Sequence, residues 1–182
     1  MRTVRSAHTM GQRGPFCTHR YRLVASCERG RPAKTRVSVV KMPLVGLESI
    51  SNIKWVRPLA TLHHAVMIDQ EGEKSVWIFD VIPKHAKDPA TLAKMVFLQP
   101  VPAINRCKHV RKEVVDLRHQ LPTLKTYQVS LSIETAVEMA TEFQRAWEPW
   151  IQLNFRDCRD HSFRLAAYLN GKPLSESLNG LA

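Results

Sequence analysis

The chain has 182 residues, 44% of them hydrophobic, and a formal net charge of +11. That length suits one domain of ordinary size plus a tail, and no stretch of sequence approaches the roughly 20 apolar residues of a membrane-spanning helix. The four cysteines, Cys17, Cys27, Cys107 and Cys158, form no CxxC pair and show no metal-ligand spacing, so the reading is free thiols in a reducing compartment, with no metal and no cofactor.

The charge is unevenly placed. Residues 1–42 hold ten of the 27 Lys and Arg but one of the 16 Asp and Glu, Glu28. The rest of the chain is close to neutral. An Arg-, Ser- and Thr-rich segment poor in acids and without an apolar core fits an organelle transit peptide, chloroplast first and mitochondrion second, or else a disordered basic arm. A nucleic-acid partner is disfavoured. The body lacks a Gly-rich phosphate loop, and Phe16 and Tyr21 make a poor stacking platform. The domain is therefore expected over residues 43–172, followed by a frayed tail over 173–182.

Residues 43–62 read as a connector with a short strand at Ile53–Val56. The clearest β signal follows. His64–Ile68 and Ser75–Val81 are apolar runs joined by a short polar turn around Gly72, the pattern of a hairpin. A turn centred on Gly72 pairs His64 with Asp80 on one face. Pro83 ends the second strand. Pro89–Leu98 reads as a short amphipathic helix with Pro in its first turn, broken by Gln99–Pro102. Lys112–Leu117 has weak β character within a basic stretch, and Thr126–Leu131 is a further strand. Ser132 caps a helix whose buried face is Val137, Ala140, Phe143 and Trp147, and Pro149 ends it.

Cys158 opens the last helix, which Asn170-Gly171 stops. The positive end of a helix dipole favours thiolate over thiol, so position alone makes this cysteine a candidate nucleophile. Asp157 and Asp160 suit the same dipole and oppose that activation. His161 lies one turn further on.

A histidine opening a hairpin strand, a polar residue on the adjacent strand and then a cysteine opening a helix is an order that resembles the circularly permuted papain-like superfamily. That group includes lecithin retinol acyltransferase-like, NlpC-type and PPPDE-like proteins. The matching residues are His64, or alternatively His63, in Leu62–Ile68, then Asp80, then Cys158 in Asp157–Phe163. The resemblance covers roughly residues 60–172. Asp157 stands where the family usually has Asn, and one extra residue separates Cys158 from His161. The resemblance implies an α+β fold with an antiparallel sheet packed against the cysteine-bearing helix. It implies Cys158 as nucleophile, His64 as base and Asp80 as orienter, acting as a hydrolase or acyltransferase on an amide, ester or thioester. The alternative is a non-catalytic module of the same fold that binds a protein or lipid partner in an organelle complex.

Overall fold

The computed structural model describes residues 34–42, 63–113 and 121–179. Within them the chain is α+β, an open antiparallel sheet with helices packed on it. The strands are β1 (Thr35–Met42), β2 (His63–Gln70), β3 (Ser75–Pro83), β4 (Val101–Arg111), β5 (Thr123–Val129) and β6 (Trp150–Ile151). They lie in the order β5-β1-β2-β3-β4-β6. The helices are α1 (Pro89–Val96), α2 (Ile133–Ala146), α3 (Cys158–Leu169) and α4 (Leu174–Asn179). No described helix is long and apolar enough to cross a membrane.

The domain begins earlier than residue 43. Thr35–Met42 is a mostly buried strand paired with β2 on one side and β5 on the other. Its Val37-x-Val39 alternation was hidden inside a basic segment, because Arg36 and Lys41 sit among its apolar residues. Arg36 is not leader charge: it holds Asp69 across the β1–β2 pair through two hydrogen bonds of 2.9 and 2.6 Å. Residues 1–33 and the strand expected at Ile53–Val56 lie outside the described residues.

The hairpin forms, with a different register. Its pairs are Val66↔Phe79, Met67↔Ile78 and Ile68↔Trp77, one residue away from the register that faces His64 with Asp80. Continued outward, this register sets Ala65 opposite Asp80, so His63 and not His64 shares the side of Asp80. The loop Glu71–Lys74 hinges at Gly72, whose φ of 86° a side chain would resist. Beyond Val66 and Phe79 the two strands part. β1 stays paired with β2 as far as His63, and β4 with β3 as far as Pro83. The sheet therefore opens between β2 and β3 at this end.

Two further expectations change. Most of the strand signal placed at Lys112–Leu117 lies outside the described residues, and an unexpected strand, β4, precedes it, beginning at Val101 despite Pro100 and Pro102. Pro102 is tolerated because it lies at the margin of the sheet, opposite Trp150 of the two-residue β6. Of the tail expected over 173–182, Leu174–Asn179 form α4, and residues 180–182 lie outside the described residues. Arg164 donates to the carbonyls of Ser177 and Leu178, at 3.5 and 2.7 Å, and Ser177 is buried.

The main core lies between the sheet and helices α2 and α3. Val37, Val39, Val66, Ile68 and Phe79 of the sheet meet Ala136, Ala140, Phe143, Trp147, Leu165, Ala166 and Leu169. Ser132 caps α2 by accepting the Thr135 N–H at 3.2 Å, with Glu134 in the first turn and Arg145 in the last, as the helix dipole favours. The buried stripe is Ala136, Ala140, Phe143 and Gln144. A polar Gln144 in that stripe has a purpose: its amide donates to the carbonyls of Asp80 and Arg106, at 3.2 and 3.0 Å, and ties α2 to β3 and β4.

Candidate functional site

Cys158 is placed by its own cap. The Asp157 carboxylate accepts the N–H groups of Arg159 and Asp160 at 2.9 and 3.0 Å, so it fixes the first turn of α3. It also accepts the Asn154 N–H at 3.4 Å, closing the turn in front of the helix. Asn154 has φ of 67°, a conformation Asn tolerates better than most residues. Arg156 completes this approach: its guanidinium lies 4.2 Å from the Trp147 ring centroid and 5.1 Å from that of Trp150.

The thiol meets both strands where the sheet opens. It packs on the cluster of Val81, Val101, Ala103 and Ile151. It is hydrogen-bonded to the imidazoles of His63 and His64 and to the His64 backbone N–H. His63 Nε2 in turn lies 3.0 Å from Asp80 Oδ2, and both side chains are buried. Asp80, His63 and Cys158 thus form one hydrogen-bonded line. Of the residues singled out in the sequence, Cys158 and Asp80 stand in it. His64 touches the sulfur but does not pair with Asp80; His63 takes that place for the register reason given above.

A fourth group extends the line. Arg106 is the cross-strand partner of Asp80, donates through Nε to Oδ1 at 2.8 Å and makes a second, shorter bond to Oδ2. Sequence reasoning missed Arg106 because the strand that carries it went unrecognised. Its alternation with Cys107 across from the Phe79–Asp80 step was the signal available.

The electrostatics follow from these contacts. Burial pushes the Asp80 carboxyl up, but hydrogen bonds from His63 and Arg106 and their charges bring it down to about 2. Burial pushes the His63 imidazole down, and its bonds to Asp80 and Cys158, with their charges, raise it to about 9. Burial pushes the Cys158 thiol up, and the bonds from His63 and His64 with the His63 charge lower it to about 6. At neutral pH this is a thiolate beside an imidazolium beside a carboxylate.

Asp157 and Asp160 do not crowd the thiol as unpaired charges. Asp157 is engaged as the cap, and Asp160 accepts Arg164 Nε at 2.6 Å. His161 is fully buried edge-on to Phe143 and Trp147, with ring centroids at 5.5 and 5.1 Å. Its two ring nitrogens have no hydrogen-bond partner among the described residues. Burial above all holds its pKa down at about 3, so it is neutral. No group of three or more His, Cys, Asp or Glu among the described residues could hold a metal ion.

Comparison of the chain with protein-family models, with curated proteins and with solved structures finds no match.

Proposed function

We propose that the protein is a thiol hydrolase or acyltransferase that attacks the carbonyl of an amide, ester or thioester through Cys158, within a fold of the permuted papain-like kind. The observation that carries this is the buried Asp80–His63–Cys158 line, in which an acidic thiol, a basic imidazole and an orienting carboxylate are each in contact. Its order along the chain, and an antiparallel sheet packed on a cysteine-bearing helix, support the fold reading.

In the first step the Cys158 sulfur bonds to the carbonyl carbon, and the electrons of the C=O bond move to oxygen. When they return, the bond to the leaving amine, alcohol or thiol breaks, and His63 gives that group its proton. The product is a thioester on Cys158. Water, or an acceptor in a transferase, then loses a proton to His63 and attacks the same carbon, and the thiolate leaves. With Nε2 turned to Asp80, Nδ1 is the His63 nitrogen that serves the sulfur. Asp80 fixes that tautomer and stabilises the charged ring. The Arg159 and Asp160 N–H groups are engaged by Asp157 and so do not serve the developing oxyanion.

The experiment is turnover of activated acyl esters and thioesters by the full chain. Burst release followed by a mass increase on Cys158 that C158S abolishes is the expected result. Acylation spread equally over Cys107 and Cys158, or no acylation, rejects the enzyme reading. The second reading, a non-catalytic module that binds a protein or lipid, is favoured by exposed apolar side chains beside this end of the sheet, Val96 and Phe97 at 74% and 75% exposure. It gains if Cys158 never carries an acyl group.

The organelle address is part of the proposal. Eight of the ten basic residues of the N-terminal region precede β1, so a cleaved transit segment must end before Thr35. Import into isolated plastids or mitochondria, with mapping of the new N terminus, tests this; an uncleaved chain overturns it.

A further inference from the structure

We infer that Arg106 is a positioning residue of this site: its fixed positive charge lets the Cys158 thiolate, the His63 imidazolium and the Asp80 carboxylate be ionised together in a buried place. The inference rests on the thiol–imidazole reading above and adds a charge requirement to it.

The geometry is specific. Asp80 is 1% exposed and holds His63 on one oxygen and Arg106 on both. A thiolate, an imidazolium and a carboxylate alone would leave one uncompensated negative charge in the interior, where an unpaired charge is costly. The system would relieve that cost by taking up a proton, and the thiolate is the more basic of the two anions. Arg106, which cannot release its own proton, brings the buried quartet to neutrality.

The Asp80 carboxylate takes its compensating charge from His63 and Arg106; the other groups around the thiol are these. β2 supplies His63 and His64, and β1 brings Lys41 opposite His64. β3 supplies Asp80. On α3, Asp157 is spent on backbone N–H groups, Asp160 is matched by Arg164, and His161 is buried without charge. Arg156, ahead of the helix, is stacked on Trp147 and pairs with Glu148 at 3.6 Å. α1 and β6 contribute Met95 and Ile151 to the cluster under the sulfur, both uncharged. Gln144 fixes the Asp80 and Arg106 backbones without adding charge.

The test is the pH dependence of Cys158 alkylation by iodoacetamide in the full chain, read by mass spectrometry. R106Q raises the midpoint by about one pH unit or more, because the Asp80 carboxylate, left without its Arg106 partner, then acts as an unbalanced like charge on the buried thiolate. R106K keeps the charge but not the two-pronged contact, so its midpoint falls between those of wild type and R106Q. R111Q, at the far end of the same strand, leaves it where it is. A low wild-type midpoint that R106Q leaves unchanged overturns the inference and spares the catalytic reading. A wild-type midpoint as high as that of an ordinary thiol overturns both. Should R106Q fail to fold, R106M, uncharged and of similar length, takes its place: a raised midpoint supports the charge argument and an unmoved one overturns it.

Discussion

Replacing His63 by alanine removes the first of the contacts that outweigh burial at Cys158, and the size of the effect can be worked out. With a pKa of about 6, roughly nine-tenths of the wild-type thiol is ionised at pH 7, against a few per cent for an ordinary thiol near 8.5. That is about 30-fold more thiolate. Nucleophilicity per thiolate falls with pKa, however, with a Brønsted coefficient of about 0.4–0.5, which returns about 10-fold. At pH 7 the two effects nearly cancel, so a single rate there says little. At pH 6 half the wild-type thiol is ionised against about 0.3% of an ordinary one, and a net advantage of about 10-fold survives. The assay is therefore the alkylation rate of Cys158 across pH, and its midpoint is the quantity to read. His63→Ala should move the midpoint from about 6 to above about 8, since burial then acts against the thiolate with only His64 opposing it. His64→Ala should move it less. An unchanged midpoint in His63→Ala would refute the view that the imidazole makes the thiol acidic.

Three further outcomes are expected. Asp80→Ala leaves Arg106 and His63 without their shared anion and should cost about 3–5 kcal/mol in chemical denaturation; a loss under about 1 kcal/mol contradicts the buried pairing. His161, neutral in the fold with a pKa of about 3 and about 6.5 when unfolded, binds its proton more readily in the unfolded chain. Its share of stability is complete above pH 6.5 and declines as pH falls towards 3, at up to about 1.4 kcal/mol per pH unit. His161→Phe should flatten that slope, and an identical slope in the variant refutes the assignment. Deleting residues 1–33 should leave the cooperative unfolding transition in place, while deleting 1–42 removes β1 from between β2 and β5 and should abolish it; a folded 43–182 fragment would overturn that placement.

The elements whose signals are local were legible. Ser132 announces its helix by offering an oxygen to an N–H group three residues on, and the hairpin strands declare themselves by apolar runs around Gly72; Asp157, read as a first-turn acid, is the cap of α3. Cys158 could be singled out for the same reason, since its setting is a helix start. What could not be read was non-local. One residue of register decides whether His63 or His64 shares a side with Asp80, and a polar turn with a single glycine does not specify it. β1 hid because its charged positions are cross-strand partners rather than a leader; Arg36 makes sense only once Asp69 is beside it. β4 hid behind two prolines that are harmless at a sheet margin, and with it went Arg106. Nothing local marks the role of Gln144, which depends on the carbonyls of Asp80 and Arg106 in β3 and β4.

The parting of β2 from β3 beyond Val66 and Phe79 has a consequence for how the thiol can be used as a reporter. No ladder of backbone hydrogen bonds sets the spacing between His63 and Cys158; the docking of α3 into the open end of the sheet does. A chain with its hairpin formed and α3 undocked would carry Cys158 as an ordinary thiol. Reaction at pH 6 therefore marks molecules that have completed their long-range assembly about 10-fold faster than the rest, and the fast-labelled fraction during refolding would time the arrival of α3 separately from the formation of the sheet.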